Sequence, residues 1–263
     1  MHNVKKIRLV IGVTVLAAFV AAWLRYDTFG GAAAILEGTQ FVYAVFELPL
    51  LAAVIALTVI LLTTLLVGRV YCSTICPLGL LQDLIARLTR RFNRKPYQTL
   101  APHGQLHAAV FALVVGAAAA GFILPLALLE PFSTFGQIFA GIFQPLAAKF
   151  FVTLAPMVST DINWFGQAAV RPFSMLNSLF AAFLITALTI AVYKAGRIYC
   201  NTLCPVGAIL RLVARHSIFR LSIDESACTS CRLCEKACKA GCIDVTSKTL
   251  DFSRCVSCYN CTA

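Results

Sequence analysis

Charge is what this sequence has least of. Asp, Glu, Lys and Arg make up 13% of 263 residues, and only 11 positions are acidic. A soluble domain carries about a quarter, so a water-soluble globular class is excluded, and the 60% hydrophobic content reads as a membrane protein. Histidine is scarce too, at 4 positions. No long apolar run contains a histidine pair, which argues against a di-haem centre held between membrane helices. His103 and His107, around the start of the third run, remain candidates for haem ligation or for contact with a quinone head group.

Four apolar runs, at 7–24, 41–67, 106–129 and 173–193, have the length of membrane-crossing helices. A fifth stretch, 132–158, is broken by Gly136, Gly141, Pro145, Lys149 and Pro156 and reads as interfacial or re-entrant. Its phenylalanines, Phe132, Phe135, Phe139 and Phe143, suit an interfacial or lipid-facing surface, with a quinone pocket as the alternative. Glu47 and Glu130, near the outer ends of their runs, are candidates for proton handling. The first run, behind "KKIR", has the polarity of a secretory signal; its length and indistinct cleavage pattern favour an uncleaved anchor.

The formal charge of +11 would suit a nucleic-acid partner if it were clustered in a soluble face. Its placement says otherwise. With the N-terminus inside, the inner segments hold 19 of the 22 Lys and Arg, and the outer segments hold only Arg25, Lys149 and Arg171. That is the positive-inside bias of four spans with both termini in the cytoplasm, and nucleic acid is not among the expected partners.

Against these scarcities stand 12 cysteines, all on the cytoplasmic side by this topology. A reducing compartment argues against disulfides and for metal ligation. "GRVYCSTICPLG" (68–79) and "GRIYCNTLCPVG" (196–207) are two copies of one element, 128 residues apart. Each follows an apolar run and precedes a basic amphipathic segment, 80–92 or 208–220, suited to the membrane surface. Cysteines at i and i+4 share a helix face, and Pro77 or Pro205 opens the next helix. If a twofold axis relates the copies, Cys72, Cys76, Cys200 and Cys204 converge on one metal or cluster; separate redox-active thiol pairs and a structural role are the other readings.

From about Leu221 the composition changes. Cys228, Cys231, Cys234 and Cys238 take the C-x2-C-x2-C-x3-C spacing of bacterial iron–sulfur ferredoxins. Cys255, Cys258 and Cys261 repeat the first three positions. Two cubane clusters are expected, the first on Cys228, Cys231 and Cys234, the second on Cys255, Cys258, Cys261 and Cys238. An eighth ligand is due a few residues beyond Cys261. Truncation of the sequence, a three-iron or exogenously ligated cluster, and substitution by Cys242 are the three readings, with truncation favoured and Cys242 expected near the second cluster. "FRLSID" and "TLDFSR" read as short strands, and Lys239 stands where proline usually follows the fourth cysteine.

With "YCSTICPLG", "YCNTLCPVG", "CTSCRLCEKAC" and "CVSCYNC", the chain resembles the membrane-bound polyferredoxin family that includes the quinol-oxidising accessory subunit of periplasmic nitrate reductase. It is also similar to the membrane part of the nitrous oxide reductase regulator and to a copper-oxidase assembly protein. The resemblance implies electron transfer between a quinone pool, cytoplasmic-side clusters and other redox subunits of a respiratory complex, in a prokaryotic inner membrane.

The expected fold is membrane all-α, with four transmembrane helices in an internal two-span repeat (1–105 and 106–220), followed by a small C-terminal α+β two-cluster ferredoxin-like domain (221–263). The expected function is an iron–sulfur relay of electrons between quinone and a partner enzyme. A redox accessory or maturation factor for a respiratory metalloenzyme is the alternative, and a plain membrane anchor for a ferredoxin is a third.

Overall fold

A computed structural model describes residues 2–24, 26–92, 97, 104–147, 149–150 and 174–262. Three helices are long and apolar enough to cross a membrane: residues Asn3–Leu24 of α1 (His2–Leu24), α4 (Leu50–Val67), and the helix Met175–Ala195. Within α4 the hydroxyls of Thr63 and Thr64 donate back to the carbonyls of Val59 and Ile60, which lets two polar side chains sit in an apolar helix. Between α1 and α4 come α2 (Tyr26–Gly38) and the short α3 (Phe41–Phe46).

The first cysteine element forms α5 (Tyr71–Thr74) and the amphipathic α6 (Pro77–Phe92). Then follow α7 (Gly104–Ala119), α8 (Leu124–Leu129) and α9 (Pro131–Ile138), which runs into a π-helical turn, Phe139–Phe143. The span Met175–Ala195 is α10; the second element gives α11 (Ile198–Thr202) and α12 (Pro205–Ala214), and α13 (Leu233–Ala237) belongs to the C-terminal segment.

The third expected run does not form one continuous helix. α7 stops at Ala119, the chain turns through Gly121 at φ +88°, and α8 resumes for six residues. Sixteen residues of helix rise about 24 Å, short of a hydrocarbon core of about 30 Å. The fifth stretch meets the expectation in part: Phe143 and Leu146 are exposed, as a lipid-facing or interfacial surface requires, but its first turns, through Phe139, are not. Phe135, Ile138 and Phe139 are buried, and α9 packs on α6 and α10. Trp23 of α1 contacts the rings of Phe132, Phe135 and Phe139. Phe135 and Phe139 are drawn into the interior because α9 packs against α6 and α10 with Trp23 against their rings, while Phe132 stays partly exposed. The part of that stretch beyond residue 150, like His103, lies outside the described residues.

The packing between the copies is reciprocal. α6, from the first cysteine element, packs on α10, the span before the second; α12, from the second element, packs on α4, the span before the first. Leu78, Leu81 and Ile85 give α6 its buried stripe, and Val206, Leu210 and Ala214 do the same for α12.

The C-terminal segment wraps over this joint. It contributes one two-residue hairpin, β1 (Ile243–Asp244) paired antiparallel with β2 (Thr249–Leu250), Ile243 opposite Leu250. Asp244 holds the turn by accepting from the Thr246 N–H at 2.9 Å. "TLDFSR" therefore forms a strand over its first two residues. "FRLSID" does not: its exposure alternates over 221–224 but it has no ladder partner among the described residues, and a strand exists only where a neighbour accepts its hydrogen bonds. Its start instead serves α4. The N–H groups of Ile218 and Phe219 donate to the Leu65 and Leu66 carbonyls at 2.9 and 2.8 Å, and Ser257 Oγ donates to Val67 O at 3.0 Å. Carbonyls orphaned at the end of the span are thus satisfied by the segment it supports.

Candidate metal centres

Cys72, Cys76, Cys200 and Cys204 are all buried, each 3–4% exposed. The structure brings the four together between the two copies. Burial and the nearby Cys200 push the Cys72 thiol up to about 11. Burial, then Cys200, Cys72 and Cys76, raise Cys204 in the same way. Burial, then Cys72 and Cys200, raise Cys76 too, yet among the described residues no three Cys, His, Asp or Glu side chains stand close enough to hold a single metal ion. A tetrahedral zinc site, with bonds of about 2.3 Å, would draw its sulfurs to roughly 4 Å of one another. The four-thiol set is more open than that. Its sulfurs accept hydrogen bonds from Gly207 N, to Cys204 at 3.3 Å, and from Gln82 Nε2, to Cys200 at 3.5 Å, the contacts a thiolate needs in a dry interior.

The close approach that makes this possible depends on Gly79 and Gly207, the last residues of the two copies. A Cβ on Gly79 would lie 2.2 Å from Cys72 O, and one on Gly207 2.3 Å from Cys200 O. Backbone meets backbone there, so no rotamer change relieves the clash. Gly79→Ala is expected to destabilise the fold by about 1–3 kcal/mol, the usual range for overpacking, and to lower the thermal midpoint. The outward-facing Gly116, where an added Cβ meets nothing within 4 Å, is the control and should show no comparable fall.

Two arginines tie the copies across the joint. Arg69, fully buried, donates to the carbonyls of Cys200 and Gly207 at 3.4 Å and of Cys255 at 3.3 Å, and to Asn201 and the Arg254 carbonyl. Arg197, its counterpart, donates to Cys72 O at 2.6 Å and pairs with Asp83 at 2.8 Å. Asp83 also pairs with Arg8 and Lys239, each at 3.0 Å. One carboxylate thus joins α1, α6, the second cysteine element and the ferredoxin segment. Lys239, a departure from the ferredoxin pattern in sequence terms, is a docking residue, and its carbonyl accepts from Arg197 N at 2.8 Å. Sequence reasoning counted these arginines only as topology charges. The signal that would have found them is the G-R-x-Y-C run present in both copies.

In the C-terminal segment, Cys238, Cys242, Cys255, Cys258 and Cys261 line one cavity, so Cys242 sits with the second-cluster set. Its Sγ is 3.5 Å from that of Cys238. Its thiol hydrogen bond draws Cys238 down to about 6 and lowers Cys255 also. Cys228 and Cys234 are partly exposed and Cys231 is exposed. Ser230 and Arg232, flanking Cys231, have φ of 55° and 57°; Ser257 and Tyr259, flanking Cys258, have 48° and 53°. Left-handed non-glycine residues are uncommon, and here they recur at the same two positions of both C-x2-C-x2-C runs. They curl the backbone around the thiols, and Ser257 N donates to Cys255 Sγ at 3.4 Å. The donor sets and their inward N–H groups fit iron–sulfur clusters.

His107 is buried, with Nε2–H donating to Cys204 O at 2.9 Å and Nδ1 left without a hydrogen-bond partner. Glu130 is buried as well, capping α9 through Ser133 N. Tyr71 and Tyr199, each preceding a cysteine, anchor the motifs: Tyr71 donates to Gln40 Oε1 at 3.0 Å and Tyr199 to Leu129 O at 2.8 Å.

Buried thiols in paired C-x3-C-P turns, joined to curled C-x2-C-x2-C runs beneath three apolar helices, define a ferredoxin-type membrane iron–sulfur protein. A 4Fe-4S binding domain family matches residues 49–96 and again 176–223, and a second 4Fe-4S binding domain family matches 221–244. The chain is 26% identical over 213 residues to the protein MJ0749 of Methanocaldococcus jannaschii, covering 81% of this chain and 67% of that one. It is 25% identical to the regulatory protein NosR of Pseudomonas aeruginosa (75% of this chain, 24% of NosR). It is 26% identical to the methylamine utilization ferredoxin-type protein MauN of Methylobacillus flagellatus (65% and 48%). The chain thus spans about a quarter of NosR and about half of MauN. It carries 4Fe-4S binding domains and resembles the ferredoxin-type, polyferredoxin-like proteins. No solved structure matches it.

Proposed function

We propose that this protein relays electrons between the quinone pool and a partner redox enzyme, as a multi-pass protein of the prokaryotic cytoplasmic membrane with both termini and every cysteine motif on the cytoplasmic side. In this reading α7 and α8 together complete the fourth crossing, and the units are 1–105, 106–220 and 221–263. Cys228, Cys231 and Cys234 hold one [4Fe–4S] cluster, and Cys238, Cys255, Cys258 and Cys261 a second. Cys72, Cys76, Cys200 and Cys204 hold a further centre between the copies. Such clusters supply one-electron steps whose potentials follow ligation, hydrogen bonding and exposure.

The observation that carries the reading is continuity. The four C-x3-C-P cysteines and Cys238, Cys242, Cys255 and Cys258 belong to one buried cluster of side chains, and Arg69 bridges Cys200 O to Cys255 O across it. The protein's own residues do three things here. The apolar helices exclude water, the arginines fix the distance between thiol sets, and backbone N–H groups stabilise thiolate charge. An anchor for an independent ferredoxin would need no such bridge.

The test is iron and acid-labile sulfide content with EPR on the purified protein, comparing wild type with the Cys72, Cys76, Cys200 and Cys204 quadruple serine variant. Loss of one paramagnetic centre, with the ferredoxin signals retained, is the expected result; an unchanged iron count and spectrum would refute the further centre. A second reading, a redox accessory or maturation factor, draws on the similarity to NosR, named a regulatory protein. Redox titration in native membranes separates the two: quinol-dependent reduction of the clusters supports the relay, and clusters that ignore quinol but reduce a metal ion support the accessory role.

A further inference from the structure

Between α1 and α6 lies a cavity of about 80 Å³ whose lining includes Arg8, Arg87, Lys239 and Asp83 together with Leu9, Val13 and Leu16. Its charges do not balance. Asp83 is the one carboxylate there and is shared by Arg8, Arg197 and Lys239. Arg8 has Asp83 alone as a countercharge among the described residues, and its Nη1 also donates to Ser73 O at 3.3 Å. Arg8 is buried, and its Nε has no hydrogen-bond partner. Arg87, exposed on the same face of α6 as Asp83, has no ion-pair partner among the described residues. An orphaned buried donor beside a free cation is a site short of an anion.

The rest of the lining says which anion. From Arg8 the wall continues along α1 through Leu9 and Val13 to Leu16, about 12 Å further by helical rise. Val13 and, across the gap, Leu84 of α6 are exposed. α1 is one of the membrane-length helices, so this wall faces acyl chains while the cationic end lies where the helix meets the interface. A free inorganic anion would have no use for the apolar wall. We infer that the cavity binds an anionic phospholipid, its phosphate held by Arg8, Arg87 and Lys239 and one acyl chain laid along Leu9, Val13 and Leu16. Basic pockets between membrane helices recognise such head groups. Because Lys239 also docks the ferredoxin segment, a lipid held here joins the membrane surface to the electron-carrying part of the chain.

The experiment uses the full chain in nanodiscs of phosphatidylcholine alone or with phosphatidylglycerol, read by thermal unfolding, together with native mass spectrometry of retained lipid. Phosphatidylglycerol is expected to raise the unfolding midpoint and to be retained. Arg87→Gln should weaken its apparent binding by about fivefold, the contribution of one basic side chain near an anionic lipid, and Arg87→Lys should restore most of it. Among the described residues Arg87 has no ion-pair partner and its side chain is exposed, so the variant tests binding and not folding. Equal midpoints in both lipids, an unchanged affinity in Arg87→Gln, or equal protection by inorganic phosphate in phosphatidylcholine discs would each overturn the proposal.

Discussion

Asp83→Asn is expected to lower the thermal midpoint of the purified protein by roughly 10 °C, and to loosen the ferredoxin segment before the membrane helices unfold. The substitution leaves Arg8, Arg197 and Lys239 within a few ångströms of one another with no carboxylate between them. Removing one partner of a buried ion pair costs about 3–5 kcal/mol, because the remaining charge stays buried and uncompensated. In a protein of this size 1 kcal/mol corresponds to about 2–4 °C. The same group predicts the acid sensitivity of the fold. Burial alone would raise the Asp83 carboxyl, but Arg197, Lys239 and Arg8 outweigh it and hold the group well below the usual carboxylate range. A carboxyl whose folded pKa is depressed stabilises the fold above its unfolded value, about 3.9, and that stability is lost as pH falls towards the folded value. Wild type should therefore lose midpoint on acidification below about pH 4, while Asp83→Asn, already lacking this contribution, should show a flatter profile. A variant with the wild-type midpoint would mean that the network is not coupled to folding.

Arg69→Leu should release the C-terminal segment from the membrane helices. Among the described residues Arg69 is the one side chain that reaches Cys200, Gly207, Asn201, Arg254 and Cys255 together. A hydrogen bond involving a charged group contributes about 1.5–3 kcal/mol; the several lost here are not additive, and roughly 3 kcal/mol of docking is a conservative expectation. That corresponds to about a hundredfold rise in the opening equilibrium. Amide hydrogen exchange over residues 217–262 should accelerate accordingly, with exchange in α4 and α10 little changed beyond their cytoplasmic-motif ends. Arg69→Lys should rescue little, because an ammonium cannot present the planar fork that serves five acceptors at once. Slow exchange in Arg69→Leu would show that apolar packing alone docks the segment.

Much of the chemistry was legible before any fold was known. Thiolate spacing is local: three cysteines two residues apart can wrap one cluster from a single turn of backbone, whatever surrounds them. Duplication was also legible, since "GRVYCSTICPLG" and "GRIYCNTLCPVG" align residue by residue, and the same 4Fe-4S binding domain family matches both regions. What misled sequence reasoning was one local turn and, elsewhere, long-range packing. The apolar run 106–129 looks continuous by composition, but Gly121 turns the chain and splits it into α7 and α8. Of the four phenylalanines that look interfacial or lipid-facing beside glycine and proline, Phe143 is exposed, but packing of α9 and the π-helical turn on α10 buries Phe135 and Phe139. "FRLSID" alternates as a strand does, but the N–H of its first residue, Phe219, and that of the preceding Ile218 cap α4.

By itself, then, the sequence determined a membrane-like composition, from the lack of charge, and the grouping of the cysteines, from their spacing. Only the tertiary structure decided which thiols meet. Nothing local in the chain says that Arg69 crosses to Cys200 while Arg197 crosses back to Cys72, or that Lys239, one residue past a ferredoxin cysteine, closes on Asp83 156 positions away. Those pairings follow from two copies packing face to face, each sealing the other's buried polar groups, and side chains so far apart in sequence acquire a shared role only when that packing removes them from water.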